Sequence, residues 1–484
     1  MNPVRFDLAA SAHEEMLREG FSPDFSSAVQ QEVKALEARS RPAAEPDLRD
    51  LRGLLWSSID NDSSRDLDQI EFAEQKPEGI RVLIGIADVD SGVPKGSAID
   101  DHAASETTSV YTAVRTFPML PLELSTDLTS LSPNSDRAAL VIEFLVKEDG
   151  TLGAFSIYRA LVRNHFQLTY ETIGLWLGNG GTLPANLVSN QGLISQLELQ
   201  NAAAKRLRQN RARLGALVFD RIEAEAVLLD GQVQNIAARA KNAAADLIED
   251  FMIAANEAMA RTLANAGVSS IRRVVKSPER WPRMVEIAAA LGTQLPPQPD
   301  SAALGAFLSA QKQKDPVHYP DLSLSILKLM GPGEYVVLRP GDPSQGHFGL
   351  AANDYTHATA PNRRFADLVT QRLMKAVLAK ESTPYTDDEL TSIARNCTLK
   401  EDAARKVERT MAKRAAAVAF ANRVGQKFEA VVTGVTPKGV FVRVQNPPIE
   451  GRLMRGEQGL DVGDQVEVTL LRTEPAQGFI DFGR

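Results

Sequence analysis

The stretch LLWSSIDNDSSRDLDQI at residues 54–70 places four aspartates between two apolar runs. They are Asp60, Asp62, Asp66 and Asp68. Like charges this close repel one another and stabilise neither a core strand nor a helix, so we expect a cation to offset them. Mg²⁺ takes oxygen ligands and is usually held by only one or two protein carboxylates, together with water and substrate phosphates. The stretch therefore indicates a magnesium site, and a solvated acidic loop is the alternative interpretation.

The composition is that of a globular protein that folds without covalent cross-links. The chain has 484 residues, of which 43% are hydrophobic, and this leaves room for several domains. Its single cysteine, Cys397, excludes an intrachain disulfide and a cysteine-based zinc site. We find no secretion signal and no apolar run that could span a bilayer, so we expect a cytoplasmic monomer without membrane contact. Because the net charge is -8, any surface for nucleic acid has to be sought in local basic patches.

Residue patterns divide the chain into three parts. Residues 1–48 carry two short amphipathic helical patterns and a linker with proline, which predicts a helical extension without chemistry of its own. Residues 49–424 open with strand patterns at 69–73 and 81–88, so the acidic stretch is expected at one end of a sheet. Residues 425–484 contain short alternating strands separated by glycine and proline, the pattern of a small five-stranded barrel.

Helices dominate the later portion of the middle part. The patterns predict helices at 191–213, at 243–266 and just after Pro361. The pair Ser277-Pro278 predicts the start of another helix, because a hydroxyl cap followed by proline is favoured there. The predicted fold class is therefore α+β, with a barrel at the C-terminal end.

A helix predicted at about 401–423 carries a basic stripe in an otherwise acidic protein. Its basic residues are Arg405, Lys406, Arg409, Lys413 and Arg414. Such a stripe can neutralise phosphates, and a solvated helix face explains it equally well. In the barrel, Phe428, Phe441 and Arg443 are candidates for a base-stacking and phosphate-binding face, with the barrel core as the alternative place for the rings.

The spacing Asp60-x5-Asp66-x-Asp68 resembles the metal-binding signature of the ribonuclease II (RNB) family of exoribonucleases. Other stretches follow in the order of that family. They are IGIADV at 84–89, PMLP at 118–121, GALVF at 215–219, IEDFMIAAN at 248–256, and HFGLA with YTHATAPNRRFADL within 347–368. The resemblance covers roughly residues 50–424, and the last part is similar to the S1-like OB domain that ends many of these enzymes. It implies a catalytic domain of mixed sheet and helices around a channel, followed by an OB-fold barrel.

The resemblance implies hydrolysis of single-stranded RNA from its 3′ end to nucleoside 5′-monophosphates, with Mg²⁺ or Mn²⁺ as cofactor. This chemistry needs an activated water and neutralisation of the charge that develops on the phosphate. By matching positions, Asp60, Asp66, Asp68 and Gln69 form the metal site, and Asp68 is also catalytic. Arg363 matches the family arginine that stabilises the transition state, a role that suits a guanidinium.

Three further residues match positions that bind RNA in the family. Tyr111 corresponds to the ring that grips the 3′-terminal nucleotide, and Phe219 to the aromatic on the other side of the stacked bases. Glu249 corresponds to a carboxylate that could accept a hydrogen bond from the 2′-OH of the terminal ribose. Arg364 directly follows Arg363 and is expected to bind RNA as well. For Tyr111, Phe219 and Glu249, a packing role is the alternative.

Gln69 is the main departure from the family, which usually carries a fourth aspartate at this position. A neutral amide would hold Mg²⁺ less tightly than a carboxylate. The alternative function is therefore a catalytically weak or inactive RNA-binding protein on the same scaffold. Retention of Asp60, Asp66, Asp68 and Arg363 together favours an active enzyme.

Overall fold

The computed structural model describes residues 6–38, 48–179, 181–184, 187–219, 222–229, 231–316, 318–444 and 446–484. The linker of the predicted extension, residues 41–47, lies outside the described residues. Residues 6–38 contain two helices, α1 (Leu8–Arg18) and α2 (Ser27–Ala38), as the amphipathic patterns predict. Asp7 begins α1, because its side chain accepts hydrogen bonds from the backbone N–H groups of Ala9 and Ala10.

Strands and helices alternate irregularly through the middle part. The described strands are β1 (Arg49–Asp50), β2 (Trp56–Asp60), β3 (Gln69–Lys76), β4 (Gly79–Ala87), β5 (Val110–Tyr111), β6 (Thr116–Phe117), β7 (Asp136–Val146), β8 (Leu152–Thr169), β9 (Ile222–Leu229), β10 (Gln232–Ala240), β11 (Ser270–Val274) and β12 (Glu334–Leu338). The described helices are α3 (Ala98–Glu106), α4 (Tyr170–Asn179), α5 (Gln191–Arg213), α6 (Ala243–Asn265), α7 (Trp281–Ala290), α8 (Ser301–Lys314), α9 (Tyr319–Met330), α10 (Phe365–Ala379) and α11 (Asp387–Phe420).

A mixed sheet organises this part, with the strand order β1-β8-β2-β3-β4-β7 and a further pairing of β8 with β7. β8 runs parallel to β1 and β2, whereas the other neighbours are antiparallel. Because β8 is 18 residues long, it pairs with β7 along its first two thirds and with β2 along its last residues, so the sheet curves back on itself. The strands predicted at 69–73 and 81–88 are confirmed as β3 and β4.

The main core lies between this sheet and the helices α5 and α6. β4 reads GIRVLIGIA and is buried on both faces, as its nearly continuous apolar run requires. Phe144 of β7 meets Phe251 of α6 edge to face, with ring centroids 6.5 Å apart. Asn242 caps α6 by accepting hydrogen bonds from the backbone N–H groups of Ala244 and Ala245. This packing fixes α6 beside the end of the sheet that carries the acidic stretch.

One predicted helix start was wrong. α7 begins at Trp281, not at Ser277-Pro278. The sequence offers a second proline, Pro282, and that residue occupies the first turn of α7, where proline is favoured. The helices predicted at 191–213, 243–266 and after Pro361 are confirmed as α5, α6 and α10.

α11 is 34 residues long and extends the helix predicted at about 401–423 toward its N-terminus. It begins with a capping box, in which Thr386 and Glu389 satisfy each other's backbone N–H groups. Along its length it contacts α1, both strands of the β9–β10 hairpin and the C-terminal barrel. In the part of the chain that the structure describes, no helix is long and apolar enough to cross a membrane.

The C-terminal part is a closed five-stranded barrel, as predicted. Its strands are β13 (Lys427–Thr436), β14 (Gly439–Val444), β15 (Ile449–Arg455), β16 (Gln465–Glu474) and β17 (Phe479–Gly483), in the order β13-β14-β15-β17-β16. Burial alternates along β14, where Val440, Val442 and Val444 point into the barrel. An α+β domain followed by an OB-type barrel is thus the architecture of the chain.

A buried ion pair fastens α1 to α11. Nη2 of Arg414 lies 3.2 Å from Oε2 of Glu15, and its Nη1 donates a hydrogen bond to Oγ of Ser11 at 2.8 Å. Only 10% of the Arg414 side chain and 5% of the Glu15 side chain are exposed. If Arg414 is removed, Glu15 stays buried and keeps Arg18, whose side chain is 59% exposed, as its remaining cationic partner among the described residues, and the loss of the buried partner is costly.

We therefore expect Arg414→Ala to lower the free energy of unfolding by about 2 kcal/mol, as measured by urea denaturation followed by circular dichroism. Arg409→Ala is the matched control, because Arg409 is exposed on the same helix. It should change the stability by less than about 0.5 kcal/mol. Equal stabilities of the two variants would contradict a structural role for the Glu15–Arg414 pair.

Candidate active site

A cavity of about 290 Å³ lies at the edge of the sheet where β2 ends and β3 begins. Its lining consists of Asp60, Asn61, Ser64, Asp66, Asp68, Gln69, Tyr111, Tyr170, Ile248, Met252, Thr359 and Arg363. The acidic stretch contributes half of these residues, and the rest come from β5, α4, α6 and the loop before α10. Six residues predicted from the sequence are therefore brought to one place: Asp60, Asp66, Asp68, Gln69, Tyr111 and Arg363.

The acidic loop, residues 61–68, has a fixed path because its backbone is bonded to neighbouring segments. Leu67 is buried, its N–H donates to Oγ of Ser130 at 3.1 Å, and its carbonyl accepts the N–H of Leu131 at 2.9 Å. The carbonyl of Asp68 accepts the N–H of Ala87 at 3.0 Å. These bonds satisfy backbone groups that are removed from water. Since Leu67 is held in the core, the aspartates on either side of it are directed to the cavity.

Asp68 joins the acidic loop to the loop that precedes α10. Its Oδ1 accepts the backbone N–H of Asn362 at 3.0 Å, and its Oδ2 accepts a hydrogen bond from Nε of Arg363 at 3.3 Å. The Asp68 side chain is 2% exposed, whereas 46% of the Arg363 side chain is exposed. Burial raises the pKa of Asp68 to about 7, although the positive charge of Arg363 opposes this rise. The guanidinium is thus held at the cavity wall and keeps part of its surface exposed to a ligand.

Asp60 and Asp66 face the same cavity. Oδ1 of Asp60 accepts hydrogen bonds from the N–H of Asn61 and from Oγ of Ser64, both at 2.7 Å. Oδ2 of Asp66 accepts a long hydrogen bond from the hydroxyl of Tyr111 at 3.4 Å, and burial raises the pKa of Asp66. Tyr111 is 42% exposed. Asn61 is half-buried, so both of these lining residues reach the protein surface, and we call the two together the mouth of the cavity.

The donors of this cavity suit a hard divalent cation. Carboxylates and amides such as those of Asp60, Asp66, Asp68 and Gln69 supply the oxygen ligands that Mg²⁺ and Mn²⁺ take. Among the described residues, no three His, Cys, Asp or Glu side chains come close enough together to hold a metal by themselves. This spacing suits an ion that binds one or two protein carboxylates and completes its shell with water and phosphate oxygens. Asp62 is exposed and does not line the cavity.

Three of the residues expected to bind RNA lie outside the cavity lining. Phe219 packs, partly buried, against the hydrophobic cluster of α7, α8 and α9. Glu249 is exposed on α6 and forms an ion pair with Lys241. Arg364 donates a hydrogen bond to Oδ1 of Asp367 at 2.6 Å. The structure does not bring these side chains together with the candidate metal ligands, and their predicted contacts with RNA stay predictions.

The basic stripe on α11 is partly neutralised inside the protein. Arg405 and Lys406 form ion pairs with acidic side chains of α11 and of the end of α1, at 2.6 Å and 3.5 Å. Arg414, predicted to bind RNA, is buried in the contact with α1, and its placement does not support that prediction. Arg409 and Lys413 are exposed and stay candidates for phosphate contacts.

The barrel candidates also have neighbours within the protein. Phe428 packs between Phe420 of α11 and Phe482 of β17, with ring centroids 5.7 Å and 6.3 Å away. Arg443 forms an ion pair with an aspartate of α9. Phe441 is half-buried on β14. Phe428 is thus partly buried against the barrel core, and Arg443 contacts a helix of the middle part; the stacking and phosphate-binding roles predicted for them stay predictions.

The structure adds residues that the sequence did not single out, and three of them are instructive. Tyr170 and Thr359 line the cavity, and Glu408 accepts the backbone N–H of Tyr111 at 3.1 Å. Glu408 could have been found, because it is the single acidic residue within the basic stripe. Thr359 lies close to Arg363 in sequence, inside the stretch that resembles the family. Tyr170 has no such signal, since only the fold brings it to the cavity.

Glu71 is a buried carboxyl beside the site. It follows Gln69 by two positions on β3, so the two side chains share one face of the sheet. Both carboxyl oxygens of Glu71 are buried, and neither has a hydrogen-bond partner among the described residues. Burial raises the pKa of Glu71 well above its usual range, and the charge of Asp60 raises it further. Burial thus favours the neutral form of this carboxyl.

For the protein held in EDTA, we expect Glu71→Gln to raise the free energy of unfolding at pH 8 by about 1–3 kcal/mol. A carboxyl with a raised pKa in the folded state stabilises the fold when protonated, and this stability is lost as the pH rises above the unfolded value of 4.5. The two proteins should therefore have similar stabilities in acid and diverge above that pH. Urea denaturation over a series of pH values measures this, and parallel pH profiles would contradict it.

The fold and the cavity together define the class of protein, namely a nuclease-type α+β domain whose carboxylates and arginine meet in one pocket, extended by an OB-fold barrel. The sequence profile of the RNB domain matches residues 48–380, and that of the RNase II-type exonuclease C-terminal S1 domain matches residues 426–484. The chain belongs to the RNB family. The resemblance seen in the sequence is thereby confirmed.

Individual proteins resemble the chain to different extents. Ribonuclease R of Vibrio parahaemolyticus is 30% identical over 449 residues, which cover 88% of this chain and 52% of that protein. The chain therefore spans about half the length of this curated relative. The structure of Mycoplasma genitalium ribonuclease R in complex with ribose-methylated single-stranded RNA has a TM-score of 0.88 at 23% identity and covers 99% of this chain and 78% of the other. The structure of yeast Ssd1, a pseudonuclease, has a TM-score of 0.73 at 17% identity, and the match covers 96% of this chain and 58% of the other. At such identities the likeness of the structures concerns the fold alone.

Proposed function

We propose that this chain is a 3′-to-5′ exoribonuclease that hydrolyses single-stranded RNA to nucleoside 5′-monophosphates, with Mg²⁺ or Mn²⁺ as cofactor. The observation that carries the proposal is the hydrogen bond between Asp68 and Arg363, which lie 295 positions apart in sequence and meet in the wall of the cavity. Asp60 and Asp66 line the same cavity. Carboxylates for a cation and a guanidinium for a phosphate are the two groups that phosphodiester hydrolysis requires in one place.

One or two of Asp60, Asp66 and Asp68 would bind the cation directly and the others would act through its water ligands, with Gln69 as a neutral donor at the same place. When bound, Mg²⁺ supplies a water of lowered pKa and neutralises charge on the phosphate. The hydrogen bonds of Asp60 to Asn61 and Ser64 keep its carboxylate oriented for this role. The bonds from the loop before α10 do the same for Asp68.

Arg363 is proposed to stabilise the charge that develops on the non-bridging oxygens of the scissile phosphate. A guanidinium is always protonated, and its planar set of donors matches phosphate oxygens. Its Nε is bonded to Asp68, so the group is oriented before the substrate arrives. Such preorganisation costs no rearrangement during the reaction, which makes electrostatic stabilisation effective.

The ring of Tyr111 at the mouth of the cavity is proposed to bind the terminal base. A half-exposed aromatic ring offers a stacking surface that does not depend on base identity. Its hydroxyl bonds to Asp66, and its backbone N–H bonds to Glu408, so the ring is attached to the acidic loop and to α11. A strand stopped by this ring would present its last phosphodiester to the aspartates.

A non-catalytic RNA-binding protein is the second candidate, and Gln69 is the observation that favours it. The site has one carboxylate fewer than the family usually carries, and yeast Ssd1 is a pseudonuclease of the same fold. The three retained aspartates and Arg363 support the enzyme. An assay with 5′-labelled single-stranded oligo(A) decides between them, because a ladder that shortens from the 3′ end with Mg²⁺ and not with EDTA requires catalysis.

We expect Asp68→Asn to abolish hydrolysis in this assay while the affinity for RNA changes by only a few-fold, because the substitution removes charge from the metal site and leaves the rest of the RNA path intact. Affinity is measured by fluorescence anisotropy of the labelled oligomer. The matched control is Asp62→Asn, which removes an exposed aspartate of the same loop and should leave the rate unchanged. An Asp68→Asn protein that degrades oligo(A) at the parent rate would contradict the assignment.

Gln69→Asp should lower the Mg²⁺ concentration that gives half the maximal rate, because it restores a carboxylate to the lining of the cavity. Repulsion from Asp68 beside it limits the gain, so we expect a shift of about tenfold, or about 1.4 kcal/mol, at most. Gln69→Ala should raise the Mg²⁺ requirement if the amide is a ligand. Titrations of turnover with Mg²⁺ that superimpose for all three proteins would place Gln69 outside the metal shell.

A further inference from the structure

The β9–β10 hairpin connects the barrel end of α11 with the mouth of the cavity. Near the barrel, Nη2 of Arg423 donates a hydrogen bond to Oδ1 of Asn235 at 2.9 Å. At the other end of the hairpin, Nη2 of Arg239 donates to Oδ1 of Asn61 at 2.5 Å. Since Asn61 belongs to the acidic loop and forms part of the mouth, the hairpin carries a guanidinium to the entrance of the candidate active site.

The contacts of Arg239 within the protein leave it able to bind another group. Its Nη1 lies 3.4 Å and 3.5 Å from the two carboxylate oxygens of Glu225, which is long for a hydrogen bond between charged groups. The side chains of this pair are 42% and 57% exposed, and ion pairs so exposed contribute little to stability. A guanidinium has five N–H donors, so Arg239 could keep its bond to Asn61 and bind a phosphate as well.

The charges that line the cavity are a second reason to expect a phosphate-binding guanidinium at its mouth. The three aspartates of the lining face one lining guanidinium, that of Arg363, among the described residues. A bound divalent cation and Arg363 would together offset these three carboxylates, so further positive charge at the entrance would attract a polyanion. Tyr170 lines the cavity, and burial raises the pKa of its hydroxyl. The positive charge of Arg239 opposes this rise, which agrees with a position of the guanidinium beside the cavity.

We propose that Arg239 binds a backbone phosphate of the RNA strand at the mouth of the cavity and so positions the terminal phosphodiester against Arg363. This inference rests on the proposed function, since it names a contact of the RNA substrate with the same site. Arg239 is a positioning residue in this role, because it holds the strand next to the reacting phosphate and does not touch the reacting atoms.

Binding tests the proposal without cleavage. In the Asp68→Asn protein, the affinity for 5′-fluorescein oligo(A) is measured by anisotropy over a range of KCl concentrations. Arg239→Ala should weaken binding about tenfold at low salt and reduce the slope of log Kd against log salt by about one, because one phosphate contact is lost. Arg239→Lys keeps the charge and should retain the slope. Arg283→Ala is the matched control, since Arg283 is an exposed arginine with an acidic partner on α7, and it should change neither quantity.

Two further variants separate a phosphate contact from a structural one. Asn61→Ala removes the bond between the hairpin and the acidic loop and keeps the guanidinium, so it should preserve the salt slope. With Asp68 intact, Arg239→Ala should raise KM about tenfold and change kcat by less than about threefold, as expected when binding outside the reacting centre is lost. If the Arg239→Ala protein does not fold, the salt titration is carried out with Arg239→Gln, which keeps most of the length of the side chain and removes its charge.

An unchanged salt slope in Arg239→Ala or Arg239→Gln would overturn the proposal, and so would equal losses of salt dependence in Arg239→Ala and Asn61→Ala. Failure of the proposed function gives a different result. A parent protein that binds oligo(A) and never shortens it would refute the exoribonuclease, while the salt titration still decides whether Arg239 holds a phosphate.

Discussion

The paired hydrogen bonds that Asp68 accepts from Asn362 and Arg363 are the interaction on which the candidate active site depends. They connect the start of β3 with the loop before α10, across 294 and 295 positions of sequence. Because the carboxylate is buried, water cannot replace its partners, and the loss of either bond would leave a buried acceptor unsatisfied. Neither loop can move away without leaving a charged group buried and unpaired. The positions of Asp68 and Arg363 therefore depend on each other.

This region gains its function at the expense of local stability. Three aspartates share one cavity, and Glu71 lies buried behind them without a described partner. Such an arrangement is unfavourable by itself, and it persists because the sheet and α6 bury a large apolar surface next to it. Places where a sequence breaks the usual rules of burial and charge are expected at functional sites. Here the aspartates whose burial and mutual repulsion are unfavourable are also the residues proposed to bind the cation.

The sequence predicts some features of this protein better than others, for identifiable reasons. β3, β4 and the barrel strands have local apolar patterns, and these decide their conformation. The meeting of Asp68 with Arg363 has no local pattern and could be predicted only through the resemblance to a family. The burial of Arg414 could not be predicted, because its partner Glu15 lies near the other end of the chain and an arginine on an amphipathic helix is usually exposed. Local sequence patterns thus predict helices and strands but not the contacts between segments that are far apart in the chain.

The length of α11 carries a consequence for how this protein can change during evolution. A helix of 34 residues is about 51 Å long, and each residue turns it by about 100°. An insertion or deletion of one residue in its middle would rotate the barrel relative to the cavity by that angle. Changes of about seven residues, or two turns, would nearly restore the orientation. The length of α11 is therefore constrained to whole turns, whereas the loops between the barrel strands can vary.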